Sequence, residues 1–181
     1  SASSIIEFVS LHQGTSLDAF NALPERKAVH ELYECAQSMP LEAALDRDRP
    51  YTDHDALFRR ADALLFSLPE TVVDQILDAC PHVGTRPGSA KSRAEQCAVW
   101  DDDAAVMAEL NEAVRRYSEK FGLPFVMCRG DHGCSEVISA IADRMHNDLE
   151  TERKVVRNEL AKIGRSRLER MLGPEGGYHN W

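Results

Sequence analysis

The sequence predicts an all-α protein folded as a single helical bundle, on three observations. Apolar residues recur at spacings of three and four along nearly the whole chain, as they do on the buried face of a helix. Runs of β-branched residues that alternate strictly with polar residues are scarce. The chain has 181 residues, enough to bury roughly two thirds of its unfolded surface in one core. We therefore expect one domain over residues 1–172 and a flexible tail over 173–181.

The first elements are predicted from prolines and caps. A short helix is expected to dock through the segment from Phe20 to Leu23. Pro24 stands at a favourable first-turn position for a second helix that runs to about Gln37. Thr52 is the predicted N-cap of the next helix, and His54 is expected on its solvated face. The apolar face of that helix consists of Leu57, Ala61, Leu64, Leu65 and Leu68.

The later elements follow from the same signals. A helix is predicted after Pro69, ending at the Cys80-Pro81 step because a residue before proline disfavours the helical region. Another is predicted from Ala104 to Lys120, with the preceding aspartates 101–103 as capping residues and a stop near Gly122. The run Phe125 to Met127 is too short to distinguish extended chain from helix. Residues 135–172 are expected to form two helices with a break near 146–149.

The composition excludes several classes of partner. The formal net charge is −9 and the lysines and arginines are dispersed, so a surface that follows nucleic acid phosphates is not expected. The longest apolar runs are far below the ~20 residues that a membrane helix needs, so no membrane partner is expected. Five cysteines, an odd number in a chain without a signal-like start, indicate reduced thiols and a cytoplasmic location.

A metal site is one possible interpretation of the segment CRGDHGC, which places Cys128, His132 and Cys134 within seven residues. A closed zinc site needs four donors, and no second ligand pair at matching spacing occurs elsewhere in the sequence. A glycine-containing turn with buried thiols fits the pattern better. We therefore predict no metal.

A second candidate is the segment SRAEQ, which follows a loop rich in glycine and proline. Ser92 and Glu95 fit a capping box that opens a helix. Capping alone accounts for this pattern. The free N–H groups at such a helix start nevertheless bind carboxylates and ureido carbonyls well.

Six segments in fixed order then carry a family resemblance. They are RPYTDHDALF (49–58), ACPHVGTRP (79–87), SRAEQ (92–96), LNEAVRRYSEKFGLPFVMC (110–128), RMHNDLETE (144–152) and ELAKIGRSRLERML (159–172). Together they resemble the decarboxylase of uric acid degradation that acts on 2-oxo-4-hydroxy-4-carboxy-5-ureidoimidazoline (OHCU), releasing CO2 and leaving S-allantoin. The resemblance covers roughly residues 20–172. It implies an all-α bundle, commonly a homodimer, that needs neither metal nor organic cofactor.

The resemblance also implies a substrate pocket. In the family this pocket is lined by a His-Pro pair, by the motif S-x-x-E-Q, by the end of F-G-x-P-F-V and by the Arg of K-I-x-x-x-R-L. The matching residues here are Pro81, Ser92, Glu95, Gln96, Phe125, Val126, Met127, Cys128, Arg129 and Arg167. Among these, Glu95 is assigned to catalysis and the others to substrate binding.

The chain departs from the family at the histidine of the His-Pro pair. The family pattern is A-H-P-x-[LI]-G, whereas Cys80 stands before Pro81 here. A thiol with a pKa near ~8.5 is a weak donor and a poor acid–base match at neutral pH, unlike an imidazole with a pKa near ~6.5. His82 can replace the missing imidazole if the segment is extended, because residues two apart then point the same way. Cys80 and His82 are therefore both catalytic candidates.

Three functions remain open on these residues. The first is OHCU decarboxylation, with Cys80 or His82 handling the proton. The second is a different reaction on a related ureido or imidazoline compound, in which Cys80 acts as a nucleophile. The third is a non-catalytic protein that binds such a compound.

Overall fold

The computed structural model describes residues 16–36, 38–79, 103–128 and 133–173. These residues form eight α-helices and no strand. The predicted all-α fold class is confirmed. Contacts within the chain group it into two compact units, with residues 1–69 and 161–181 in unit 1 and residues 70–160 in unit 2. The prediction of one domain over residues 1–172 stays a prediction.

The described residues of unit 1 form four complete helices and the end of a fifth. They are α1 (Leu17–Ala22), α2 (Glu25–Ala36), α3 (Met39–Arg47), α4 (His54–Ser67) and the second half of α8 (Leu149–Leu172). Its core is Phe20, Ala28, Leu32, Leu41, Leu45, Tyr51, Leu57, Phe58, Leu168 and Leu172. Helix α3 was not predicted, because its nine residues offer only a short apolar pattern, with Pro40 in the first turn.

Arg49 holds the end of α1 in unit 1. Its guanidinium donates to the carbonyl oxygens of Phe20 at 2.6 Å and of the C-cap residue Leu23 at 2.8 Å, at the end of α1 where helical acceptors run out of partners. Asp46 pairs with the same guanidinium at 2.6 Å. A cation near a helix C-terminus also complements the helix dipole. The arginine of the RPYT segment therefore acts in the described structure as a helix cap.

Two predictions at the start of α4 are wrong. The N-cap is Asp53, not Thr52, and its carboxylate accepts from the Ala56 N–H at 2.7 Å. Asp and Thr are both good N-caps, so local sequence alone did not decide between these neighbours. His54 is buried rather than solvated, and its ring meets the Phe58 ring edge-on at 6.0 Å.

Unit 2 contains α5 (Glu70–Ala79), α6 (Ala104–Phe121), α7 (Cys134–Arg144) and the first half of α8. Its buried apolar residues are Val73, Ile76, Leu77, Met107, Leu110, Tyr117, Phe121, Leu123, Phe125, Val126, Cys134, Val137, Ile141, Val156 and Leu160. These buried residues give each of the four helices an apolar face inside the unit. The predicted break between α7 and α8 is also confirmed, since residues 145–148 are not helical.

The ends of α6 agree with the sequence. Asp103 is the N-cap and accepts from the Ala105 N–H at 2.8 Å. Gly122 ends the helix in the left-handed region with φ of 66°, and its N–H donates to the Ser118 carbonyl at 2.8 Å. A residue without Cβ adopts this conformation at little cost. The helix therefore ends at Gly122, and Leu123 begins the non-helical segment that follows.

Glu42 is a buried carboxyl whose removal should stabilise unit 1. Burial raises the pKa of Glu42 above its ordinary value, and the Ser38 N–H, which donates to Oε1 at 2.9 Å, offsets part of this rise. A raised folded-state pKa means that the folded protein binds this proton more tightly, so the contribution of Glu42 to stability is lost as pH rises through that pKa. Glu42→Gln keeps the acceptor and removes the charge. We expect it to raise the free energy of unfolding at pH 7 by about 1 kcal/mol.

Urea unfolding between pH 5 and pH 8 measures this effect. The gain from Glu42→Gln should shrink as pH falls, because the wild-type carboxyl then becomes neutral as well. Glu169→Gln, at an exposed position on α8, is the control and should show no such pH trend. A gain that grows towards acid pH would contradict the assignment.

Candidate active site

The segment Leu123–Cys128 connects α6 to the residues before α7 and contains four of the predicted substrate-binding residues. It is neither helix nor strand, which answers the question that its short apolar run left open. Phe125 and Val126 are buried, while Met127 and Cys128 are half-buried. Cys128 is a free thiol. The segment therefore passes from the core of unit 2 towards its surface over these four residues.

Side chains hold the carbonyl groups of this segment. Ser118 Oγ donates to the Leu123 carbonyl at 3.1 Å, and the Arg144 guanidinium donates to the Val126 carbonyl at 2.7 Å. Buried carbonyl groups need such partners when no regular structure supplies them. The path of the segment is thus set by α6 and α7 together.

Arg144 and Glu152 form a buried ion pair next to this segment. Arg144 Nε donates to Glu152 Oε1 at 2.7 Å, and its NH2 group lies 2.5 Å from the same oxygen. Glu152 is fully buried, and its Oε2 accepts from Asn147 Nδ2 at 3.0 Å. Both carboxylate oxygens are therefore satisfied, as a buried charge requires.

Tyr117 joins this pair to the aromatic residues of unit 2. Its hydroxyl donates to Glu152 Oε1 at 2.5 Å, and its ring packs against the rings of Phe121 and Phe125 at 4.8 Å and 5.1 Å between centroids. Burial raises the pKa of the Tyr117 phenol above its ordinary value, and the hydrogen bond to Glu152 adds to this. The phenol is therefore a neutral donor at physiological pH.

The helix that leads to Cys80 is fixed within the same unit. Glu70, the first residue of α5, accepts from Arg153 at 2.6 Å and from Arg157 at 2.7 Å. The hydrogen bond from Arg157 is the largest cause of the lowered pKa of the Glu70 carboxyl. Helix α5 is thereby tied to α8, and it ends at Ala79 as predicted, one residue before Cys80.

Arg167, the remaining described site residue, belongs to unit 1. It lies on α8 and is buried, with 7 % of its surface exposed. The other candidates, namely Cys80, Pro81, His82, Ser92, Glu95, Gln96 and Arg129, lie outside the described residues. Phe125, Val126, Met127 and Cys128 are consecutive residues of unit 2, and the convergence of all the candidates into one site stays a prediction.

Comparison with known proteins decides the family. The family model for OHCU decarboxylase matches residues 21–169, most of the chain. The chain belongs to the OHCU decarboxylase family. The resemblance of the six sequence segments is thereby confirmed.

Relatives in this family are distant in sequence. The chain is 28 % identical over 137 residues to the 2-oxo-4-hydroxy-4-carboxy-5-ureidoimidazoline decarboxylase of Amia calva, covering 72 % of this chain and 78 % of that protein. It is 28 % identical over 133 residues to the decarboxylase of the same name from Halalkalicoccus jeotgali, covering 66 % and 74 %. A crystal structure of OHCU decarboxylase with (S)-allantoin matches with a TM-score of 0.68 at 22 % identity, covering 78 % of this chain and 96 % of that one. The structural match supports the shared fold.

The OHCU decarboxylase segments also contain buried polar residues that were not among the predicted site residues. Tyr117, Arg144 and Glu152 lie within two of the quoted segments, yet no part in the site was predicted for them. The sequence nevertheless contains a signal that Glu152 is buried. Glu152, Val156 and Leu160 are each four residues apart, so Glu152 places a charged side chain on the apolar face of the helix. A charged residue at such a position is buried with partners or functional.

The described ranges lack two further features. Within residues 16–36, 38–79, 103–128 and 133–173, no helix has the length and apolar character needed to cross a bilayer. No group of three or more His, Cys, Asp or Glu side chains in those ranges has a geometry that could hold a metal ion.

Proposed function

We propose that this protein is a cofactor-independent carboxy-lyase that converts OHCU to S-allantoin in urate degradation. Membership of the OHCU decarboxylase family, over residues 21–169, carries this proposal. The curated relatives from Amia calva and Halalkalicoccus jeotgali, which bear the name of that decarboxylase, support it.

The proposed reaction needs groups that accept developing negative charge. When the bond between the ring carbon and the carboxylate breaks, CO2 leaves and the electron pair stays on the ring carbon, next to an imine and a carbonyl. Fixed donors at that point lower the barrier more than they would in water. We assign this role to Arg167 and to the backbone N–H groups of the helix start that the sequence predicts at Ser92. The pair then shifts into the imine, so the neighbouring ureido-bearing carbon is protonated on one face while the hydroxyl on the decarboxylated carbon loses its proton and becomes the ring carbonyl, which gives the S product.

Glu95 and Gln96 are proposed to fix the orientation of the substrate. A carboxylate accepts hydrogen bonds from the ureido and ring N–H groups, and an amide both donates and accepts. Phe125 and Val126 would supply the apolar wall, and Met127, Cys128 and Arg129 the edge of the same cavity. The held geometry selects the face on which the proton arrives.

Product analysis tests the proposal. Freshly generated OHCU incubated with the purified protein should yield S-allantoin in excess, faster than spontaneous decay, measured by chiral chromatography or circular dichroism. Racemic allantoin at the uncatalysed rate would contradict the proposed function. Under that outcome, tight binding of an allantoin analogue would support the non-catalytic alternative instead.

An arginine pair on α8 provides the matched variants for this assay. Arg167→Lys keeps the charge but loses the planar fork of donors, so we expect kcat/KM to fall by about 10²-fold. Arg165→Lys, at an exposed position two residues earlier, should leave kcat/KM unchanged. Equal losses in the two variants would remove Arg167 from the proposed site.

The cysteine at position 80 favours a second candidate function. A thiolate with a lowered pKa can act as a nucleophile towards a related ureido or imidazoline compound. The rate of Cys80 alkylation by iodoacetamide as a function of pH distinguishes the two. An ordinary thiol pKa, with no protection by OHCU analogues, would exclude the nucleophilic role.

The oligomeric state and location are proposed on separate grounds. A homodimer is implied by the family resemblance, and light scattering of the purified protein would measure it. A cytoplasmic location is supported by the odd number of cysteines, five in all, which suits a reducing compartment.

A further inference from the structure

We propose that Arg144 is a positioning residue that sets the backbone of the substrate-binding segment Phe125–Cys128. The inference rests on the proposed function for its effect on catalysis. It also makes a claim about the segment itself that can be measured without turnover.

The guanidinium of Arg144 meets the segment at two points. NH1 donates to the Val126 carbonyl at 2.7 Å, and the guanidinium carbon lies 4.4 Å from the centroid of the Phe125 ring. The first contact fixes the peptide plane between Val126 and Met127. The second fixes the ring that precedes it. One side chain therefore determines both the direction of the backbone and the position of the apolar wall.

The orientation of Arg144 is itself fixed by Glu152. Two guanidinium nitrogens face Glu152 Oε1, at 2.7 Å and 2.5 Å, which leaves NH1 directed at Val126. The carboxylate is held in turn by the hydroxyl of Tyr117 and the amide of Asn147. A planar guanidinium with donors on three sides fits this arrangement, whereas a lysine ammonium is a point charge on a flexible stem. The geometry is thus specific for arginine.

A purely structural role explains this arrangement less well. Buried ion pairs commonly give no more stability than apolar residues of the same volume, so their presence suggests that they fix a conformation. Here the backbone acceptor of Arg144 belongs to the non-helical segment of the proposed site. Shifts of about 1 Å in groups that hold a substrate can cost about 10²-fold in rate.

The first experiment compares Arg144→Lys with Val156→Ala. Val156 is a buried residue of α8 in the same unit, so its truncation lowers stability without removing a hydrogen bond. Both variants are assayed at a temperature at which circular dichroism shows them folded. Arg144→Lys should lower kcat by about 10²-fold with a much smaller change in KM, since binding groups elsewhere in the site remain. Val156→Ala should retain the wild-type kcat.

The second experiment needs no activity. Cys128 lies two residues beyond Val126, so its alkylation rate by iodoacetamide reports the position of the segment, and the buried Cys134 on α7 serves as the internal reference. Trypsin separates the two thiols into peptides 121–129 and 130–144, and the lysine variant preserves the second cleavage. Arg144→Lys should raise the Cys128/Cys134 rate ratio by about tenfold through local opening. Val156→Ala should leave the ratio unchanged.

The outcomes are distinguishable. An unchanged Cys128/Cys134 ratio in Arg144→Lys overturns the positioning role, whatever the activity. A raised ratio with an unchanged kcat overturns its catalytic consequence. If the wild-type protein itself forms no S-allantoin, the proposed function fails, and the thiol ratio still decides whether Arg144 sets the segment. If Arg144→Lys does not fold, Tyr117→Phe removes the hydrogen bond that Tyr117 donates to Glu152 and the one that it accepts from Arg144 NH2. It should raise the ratio in the same direction, and an unchanged ratio there overturns the inference.

Discussion

Glu152→Ala should lower the free energy of unfolding by about 3–5 kcal/mol, the cost of leaving a buried charge without its partner. The variant removes the only carboxylate that the described structure places against Arg144, and it also leaves the Tyr117 hydroxyl and the Asn147 amide without an acceptor. Urea or thermal unfolding followed by circular dichroism measures the loss.

The control lies two residues earlier on the same helix. Glu150 is exposed and pairs with Lys154 at 3.7 Å, so Glu150→Ala should change the free energy of unfolding by less than about 1 kcal/mol. Glu152→Gln should fall between the two alanine variants, because it keeps an acceptor and loses the charge. A loss for Glu152→Ala as small as that for Glu150→Ala would show that the buried network contributes little to folding.

Cys80→His should raise kcat for OHCU decarboxylation by about 10²- to 10⁴-fold, the usual contribution of a general acid–base group. The substitution restores the family pattern A-H-P at residues 79–81. An imidazole near its own pKa can steer the substrate and carry the proton that a thiol handles poorly. Initial rates with chiral product analysis measure the change.

Two further variants test whether Cys80 or His82 carries the proton in the wild-type protein. Cys80→Ser keeps a small polar side chain without an imidazole and should bring no gain. His82→Asn, made in the wild-type background, should abolish the residual catalysis if His82 has taken over the role of the missing histidine, and should leave it intact if Cys80 itself serves. A wild-type rate that already equals that of Cys80→His would contradict the expectation of a weakened site.

In the described structure, some residues of the family segments support other parts of the fold, whereas others are proposed to contact substrate. RPYT contributes Arg49, which caps α1 with three carbonyl contacts, and RMHNDLETE contributes Arg144 and Glu152, which support the segment at Val126. None of these three residues is among those proposed to touch substrate. Some residues in the segments that resemble the family therefore stabilise the structure and do not contact the substrate themselves.

Helix positions were largely predictable because apolar periodicity and backbone restrictions act locally. Pro81 predicts an end of α5 near Cys80, and the described helix runs to Ala79, while Gly122 ends α6; both predictions use constraints that belong to single residues. The sequence predicted that a side chain caps the start of α4, but not which one, since Asp53 and not Thr52 is the N-cap. Helix α3 escaped prediction because a nine-residue pattern is weak until Leu41 and Leu45 find their places in the core of unit 1.

The sequence by itself determined the all-α class, the family and the identity of the residues proposed to meet the substrate, including the cysteine at position 80. Only the tertiary structure revealed that Arg144, Glu152 and Tyr117 are buried together and that Arg144 holds the Val126 carbonyl. The reason is physical. Helix periodicity is encoded by residues three and four apart, whereas the three members of this network lie 27 and 8 residues apart along the chain and meet only when α6, α7 and α8 pack.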